Sequence, residues 1–121
     1  MTSLTREILE SASADAFLET DLKNIRYLSG FCGTTAVILV LKHALEPVLI
    51  TDARYYGSIR NNTRGLFRAV ESNDFAGSIL QLCESAKVKT LAYNGDYLTV
   101  SGLNRLKKRL GKIRMAGKED I

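Results

Sequence analysis

Few side chains in this 121-residue sequence could carry reactive chemistry, and their spacing works against it. The candidates for base, nucleophile or metal ligand are one histidine, His43, two cysteines, Cys32 and Cys83, and thirteen Asp and Glu residues. The cysteines lack CxxC spacing and a histidine nearby, so they read as free thiols of a reducing compartment. His43 falls in the polar reversal Lys42–Glu46, where a solvated residue is expected. No carboxylate stands at metal-binding spacing from it. Gly30 and Gly33 bracket Phe31-Cys32 but precede a β-branched run rather than a helix, so they form no dinucleotide fingerprint. A G-x-x-x-x-G-K-[ST] phosphate loop is also missing. A catalytic centre needs nucleophile, base and orienting group together. The expectation is a chain without a self-sufficient active site and without a cofactor of its own.

Charge is the second source of chemistry. The net charge is +4, and it gathers in Arg105, Lys107, Lys108, Arg109, Lys112, Arg114 and Lys118, a stretch without an acidic residue. Such a segment could meet nucleic acid or an acidic partner. Nothing aromatic interleaves these cations as a stacking surface requires, so a solvated helix face is expected, with no nucleic-acid partner.

The elements that must position these groups centre on two apolar runs, Ala36–Leu41 and Val48–Ile50. Their β-branched content and short length make them strands, too short to cross a membrane. They predict a hairpin at the centre of a sheet, its second strand opened by Pro47, where a missing N–H costs little. Around it the spacing predicts a helix over 3–12 and a buried strand from Ala16 to near Thr20. Asp21–Asn24 then forms a turn or cap, and Ile25, Tyr27 and Leu28 pack in one helical turn. A short helix is expected from Tyr55 to about Asn61, and Phe67–Val70 alternates as a strand. Asn73 or Asp74 caps a helix whose face carries Phe75, Ile79, Leu82 and Ala86, widened by Leu80 and Cys83. Thr90–Tyr93 is a strand and Asn94–Tyr97 a turn. Thr99 caps a helix with Leu103, Leu106 and Leu110, stopped by Gly111. Ile113–Met115 closes the series as a strand. Alternating strands and helices in a chain of this size predict one three-layer α/β/α domain over residues 1–121, with a mixed sheet of five to six strands. The first residues, Met1 to Glu7, have no apolar segment, so no secretory leader is expected.

Three stretches add a resemblance. Asp15-Ala16-Phe17-Leu18, Asn24-Ile25-Arg26-Tyr27-Leu28-Ser29-Gly30-Phe31 and Leu49-Ile50-Thr51-Asp52-Ala53-Arg54-Tyr55 resemble, in order and spacing, the amino-terminal domain of the creatinase/prolidase family. Within it they are most similar to Xaa-Pro aminopeptidases and Xaa-Pro dipeptidases. Gly95–Val100 also resembles the family's later turn before a helix. Ala53 stands where the family usually has Gly, and Cys32 where it often has Thr or Ser. The resemblance implies a mixed sheet with a ribonuclease-H-like arrangement. It further implies a separate pita-bread catalytic domain holding two divalent metal ions of the Mn, Co or Zn type, with ligands not found in this chain. On that basis the chain resembles a fragment of a longer, cytoplasmic and dimeric metallopeptidase. Its role would be non-catalytic, in dimerisation and in the wall of the cleft that admits proline-containing peptides. By the same resemblance Arg54 and Tyr55 lie on the substrate side, and the planar fork of an arginine suits a peptide carboxylate or carbonyl. Two other functions are consistent with the residues: a stand-alone interaction domain of this fold, and a small basic nucleic-acid-binding module.

Overall fold

The computed structural model describes residues 14–29, 35–42, 46–52, 67–94 and 100–117. The expected helices over 3–12 and from Tyr55 to Asn61 lie outside these residues. So do Cys32, His43, the Gly30–Gly33 pair, Arg54, Tyr55 and Lys118.

Six strands form one sheet: β1 (Ala16–Glu19), β2 (Ala36–Leu41), β3 (Val48–Thr51), β4 (Arg68–Glu71), β5 (Thr90–Tyr93) and β6 (Arg114–Gly117). Their order is β4-β3-β2-β1-β5-β6. β2 is antiparallel to both its neighbours, while β3–β4, β1–β5 and β5–β6 are parallel. β2 therefore runs against five strands that share one direction. The predicted hairpin is present, with Val37 opposite Ile50 and Leu39 opposite Val48.

Why the central strands are apolar at every position follows from this topology. A strand covered on both faces has no solvent side, so its sequence runs hydrophobic instead of alternating. All residues of β1, β2 and β3 are buried, whereas the edge strands β4 and β6 bury none fully. Successive side chains of β2 diverge to opposite faces. Val37, Leu39 and Leu41 meet Leu18, Ile50 and Leu91 on one side; Ala36, Ile38 and Val40 meet Phe17 and Leu49 on the other.

Each face carries helix. α1 (Leu22–Ser29) buries Ile25 against Phe17 and Ile38. α2 (Phe75–Ser85) and α3 (Val100–Leu110) cover the opposite face through Ile79, Cys83, Leu106 and Leu110. The expected three-layer mixed α/β architecture is thus the observed one. Two packing expectations are corrected. Tyr27 is 74% exposed, because the turn of α1 that buries Ile25 carries a residue two positions later round to solvent. Ala86 is the C-cap of α2 and exposed, and the buried stripe is Ile79 with Cys83, one turn apart.

Asp15 ties the starts of β1 and β5 to the end of β2. Its N–H donates to the Thr90 carbonyl (3.1 Å), its own carbonyl accepts from the Lys42 N–H (2.9 Å), and Oδ2 accepts from the N–H groups of Lys89 and Thr90 at 3.0 and 3.2 Å. Those hydrogen bonds favour the charged form and hold the Asp15 carboxyl below the ordinary carboxylate range.

Candidate functional site

Among the described residues the buried polar side chains are Glu19, Thr51 and Asn94. They end or directly follow β1, β3 and β5, three of the parallel strands, so all three collect at the carboxyl edge of the sheet. In open α/β sheets that edge is where ligands are received, at the point where successive connections leave to opposite faces. The neighbours β1 and β5 meet this condition. The chain leaves β1 for α1 on one face and next forms α3, on the other face, after β5.

Local sequence explains the anchoring of each group. Glu19 accepts from the Asp21 N–H (3.1 Å) and the Asn24 Nδ2 (3.0 Å), while the Asp21 carboxylate accepts from the Lys23 N–H (3.2 Å) and its carbonyl from the Ile25 N–H (3.0 Å). Asp21 is thus the N-cap of α1, and Glu19 supports the capping turn. Burial pushes the Glu19 carboxyl above its usual range, opposed by the hydrogen bonds from Asp21 and Asn24. Thr51 is fully buried and donates its hydroxyl to the Thr35 carbonyl (2.6 Å), joining the end of β3 to the start of β2.

A cavity of about 430 Å³ opens at the same edge, between α2, α3 and the sheet. Its floor is apolar, with Leu18, Val37, Phe75, Ile79 and Leu106; Thr20, Asn73, Asp74, Arg105 and Arg109 supply the polar groups. Asp74 is the N-cap of α2, accepting from the Gly77 N–H (3.3 Å). It also takes a forked pair from Arg109, with Nη1 to Oδ1 at 3.2 Å and Nη2 to Oδ2 at 2.7 Å. Gly77 matters here, since a Cβ at that position would collide with the Asp74 carboxylate and press on the Arg109 guanidinium. The Arg109 bond, and then the Gly77 N–H, hold the Asp74 carboxyl below its ordinary value.

The sequence-stated candidates are distributed as follows. Thr51 and Asp52, which lead into Arg54 and Tyr55, stand at the carboxyl edge; Arg54 and Tyr55 themselves lie outside the described residues. Cys83 is a buried free thiol whose pKa burial pushes up to about 11, so it is inert as a nucleophile at neutral pH. Of the basic segment, Arg109 is engaged with Asp74. Sequence reasoning missed the buried Glu19–Thr51–Asn94 set. The available signal was a polar residue closing three apolar strand runs, which alone reads as an ordinary strand end.

Comparison with known proteins identifies the family of this fold. Residues 3–119 match the Creatinase/Prolidase N-terminal domain. A Mycoplasma pneumoniae protein assigned by name to the Xaa-Pro aminopeptidases is 27% identical over 119 residues. The match takes in 98% of this chain and 33% of that protein, so the chain spans about a third of the length of this curated relative. Among solved structures, an Xaa-Pro aminopeptidase from Streptococcus pyogenes superposes with a TM-score of 0.85 at 28% identity, over 94% of this chain and 85% of the other. The N-terminal domain of the cytoplasmic peptidase PepQ from Mycobacterium tuberculosis gives 0.81 at 27% identity, over 94% and 87%. The X-Pro aminopeptidase of Thermotoga maritima gives 0.77 at 28%, over 95% of this chain and 33% of that one. A sheet with one opposed strand, helices on both faces and this family match over nearly every residue lead to one conclusion: the chain belongs to the creatinase/prolidase N-terminal domain family.

Proposed function

We propose that this chain serves as the non-catalytic N-terminal domain of an Xaa-Pro aminopeptidase- or dipeptidase-like metallopeptidase of the cytoplasm. It contributes to dimerisation and to the wall through which proline-containing peptides reach the active site. The observation that carries this reading is the family match across residues 3–119. The partner is the enzyme's own C-terminal catalytic domain, where the resemblance assigns two divalent metal ions. Among the described residues no three His, Cys, Asp or Glu side chains gather as metal ligands. The described residues do not fit such a group. No described helix is long and apolar enough to cross a membrane.

Within this reading Arg54 and Tyr55 face the substrate. The strand that leads towards them ends at Thr51, held by its bond to the Thr35 carbonyl, so the segment that follows starts from a fixed point. A guanidinium there offers two parallel N–H donors to a peptide carboxylate or carbonyl. The test is Arg54→Ala in the enzyme as its gene encodes it. We expect kcat/KM for Xaa-Pro peptides to fall at least about tenfold, roughly 1.4 kcal/mol of transition-state stabilisation, with thermal stability nearly unchanged. Unaltered kcat/KM together with a lowered unfolding temperature would make Arg54 structural instead.

A further inference from the structure

We infer that the 430 Å³ cavity between α2, α3 and the carboxyl edge binds an apolar carboxylate through Arg105, as a site of this domain in its own right. The inference rests on the cavity and not on the peptidase reading. Three observations carry it.

The first is charge. Among the described residues, the ionised groups that line the cavity are Asp74, Arg105 and Arg109. Asp74 and Arg109 neutralise each other through two hydrogen bonds. The guanidinium of Arg105, one turn earlier on α3, makes no hydrogen bond or ion pair with any described residue. Among its described lining residues the cavity therefore keeps one uncompensated positive charge, which a monoanion matches and a neutral or dianionic ligand does not. The second is shape and polarity. The floor is built by side chains of the main core, with Leu18, Ile79 and Leu106 all at or below 7% exposure. Its volume falls within the range of small-molecule sites, which are mostly apolar with a few placed polar groups. An inorganic anion would satisfy the arginine and leave that floor wet. An apolar group ending in a carboxylate satisfies both. The third is rigidity. The Asp74–Arg109 pair bridges the start of α2 to α3 across the mouth, and Gly77 leaves room for it. The pair, half-exposed, adds a modest link between the two helices that form the walls, which lowers part of the ordering cost of binding. Arginine is the suited residue, since its planar fork takes both carboxylate oxygens at once.

Two natural sources share this chemistry, a peptide ending in an apolar residue and a short fatty acid. Titration of the 15N-labelled chain with N-acetyl-phenylalanine, its neutral amide, hexanoate and inorganic phosphate separates them, read by amide shifts and by affinity. At least one of the two carboxylates should shift the amides of Phe75, Ala76, Arg105 and Leu106. The neutral amide and phosphate should bind at least tenfold more weakly, and Arg105→Gln should weaken the carboxylate at least tenfold without altering the unfolding temperature. Tighter binding of acetyl-phenylalanine assigns the site to a peptide end, and tighter binding of hexanoate to a fatty acid. The inference is overturned if neither carboxylate shifts these amides up to 10 mM, or if the amide or phosphate binds equally well. Arg105→Gln binding unchanged would overturn it too. None of these results depends on whether the parent enzyme cleaves Xaa-Pro bonds.

Discussion

Two carboxylates at opposite ends of β1 are pushed in opposite directions by their surroundings. Asp15 is stabilised as an anion by the N–H groups of Lys89 and Thr90, so its contribution to stability is present above the ordinary Asp pKa and is lost as pH falls through the lowered one. Glu19 is raised by burial, so its contribution is full below the ordinary Glu pKa and is lost as pH rises through the raised one. Asp15→Ala leaves two N–H donors without their acceptor and should cost about 1–2 kcal/mol near neutrality. Measured by urea unfolding, that cost should fade on acidification; a cost that stays constant down to strongly acid pH would show that the charge is irrelevant. Glu19→Gln should change stability in the other sense. Its amide can still accept from the Asp21 N–H and donate to a reoriented Asn24, so relative to wild type the variant should gain stability as pH rises from about 4 towards 7. A difference independent of pH would contradict the burial account. Neither carboxylate was legible as special in the sequence. The Asp15 clamp spans 74 residues, and no local pattern reports a contact at that range.

At the scale of elements, the ends of the helices show where local signals suffice. Gly111 at the end of α3 has φ +59°, the left-handed conformation for which glycine is favoured, and the sequence pointed to it. α2 ends differently. Lys87 takes φ +58°, with its N–H on the Glu84 carbonyl (3.1 Å) and the Val88 N–H on the Cys83 carbonyl (2.9 Å), the double hydrogen bond of a Schellman end. A lysine in that conformation carries a Cβ penalty of roughly 1 kcal/mol. Burial of Val88 against Cys83 in the main core makes the tight turn worth keeping. Lys87→Gly should therefore stabilise the chain by about 0.5 kcal/mol, the relief being partly offset by the greater backbone entropy of glycine when unfolded. Thermal unfolding decides it: a lower midpoint would mean that the lysine side chain contributes more than its strain costs. The hairpin and most strand and helix bounds were legible for the same reason Gly111 was, because apolar period and cap chemistry are local. Tyr27 was misplaced because α1 buries Ile25, and a residue two positions later on a helix projects to the opposite side.

For the whole molecule, the layered α/β architecture followed from alternation and the β2–β3 opposition from the hairpin, but the pairing of β2 with β1 and the edge position of β4 depend on long-range contacts that composition does not encode. The family resemblance conveyed what periodicity could not. It connected the Asn24–Phe31 and Leu49–Tyr55 stretches to a known kind of domain, and the match over residues 3–119 agrees. The carboxyl edge, with Glu19, Thr51 and Asn94 buried there, emerged only once the strands were ordered. On α3, Lys107 and Lys108 remain a solvated surface in this account, while Arg109 is taken by Asp74 and Arg105 lines the cavity. Labelled oligonucleotides should bind no tighter than about micromolar at physiological salt, the level of non-specific attraction; submicromolar affinity would reopen the nucleic-acid reading.

The account's central claim is that this domain serves an Xaa-Pro peptidase without itself performing the chemistry. Residues 1–121 alone and the complete product of the same gene, each supplied with Mn, Co or Zn, should be assayed side by side on an Xaa-Pro peptide. The account predicts metal-dependent cleavage of the Xaa-Pro bond by the complete product and none by residues 1–121. Cleavage by residues 1–121 alone, or no cleavage by the folded, metal-loaded complete product, would contradict it.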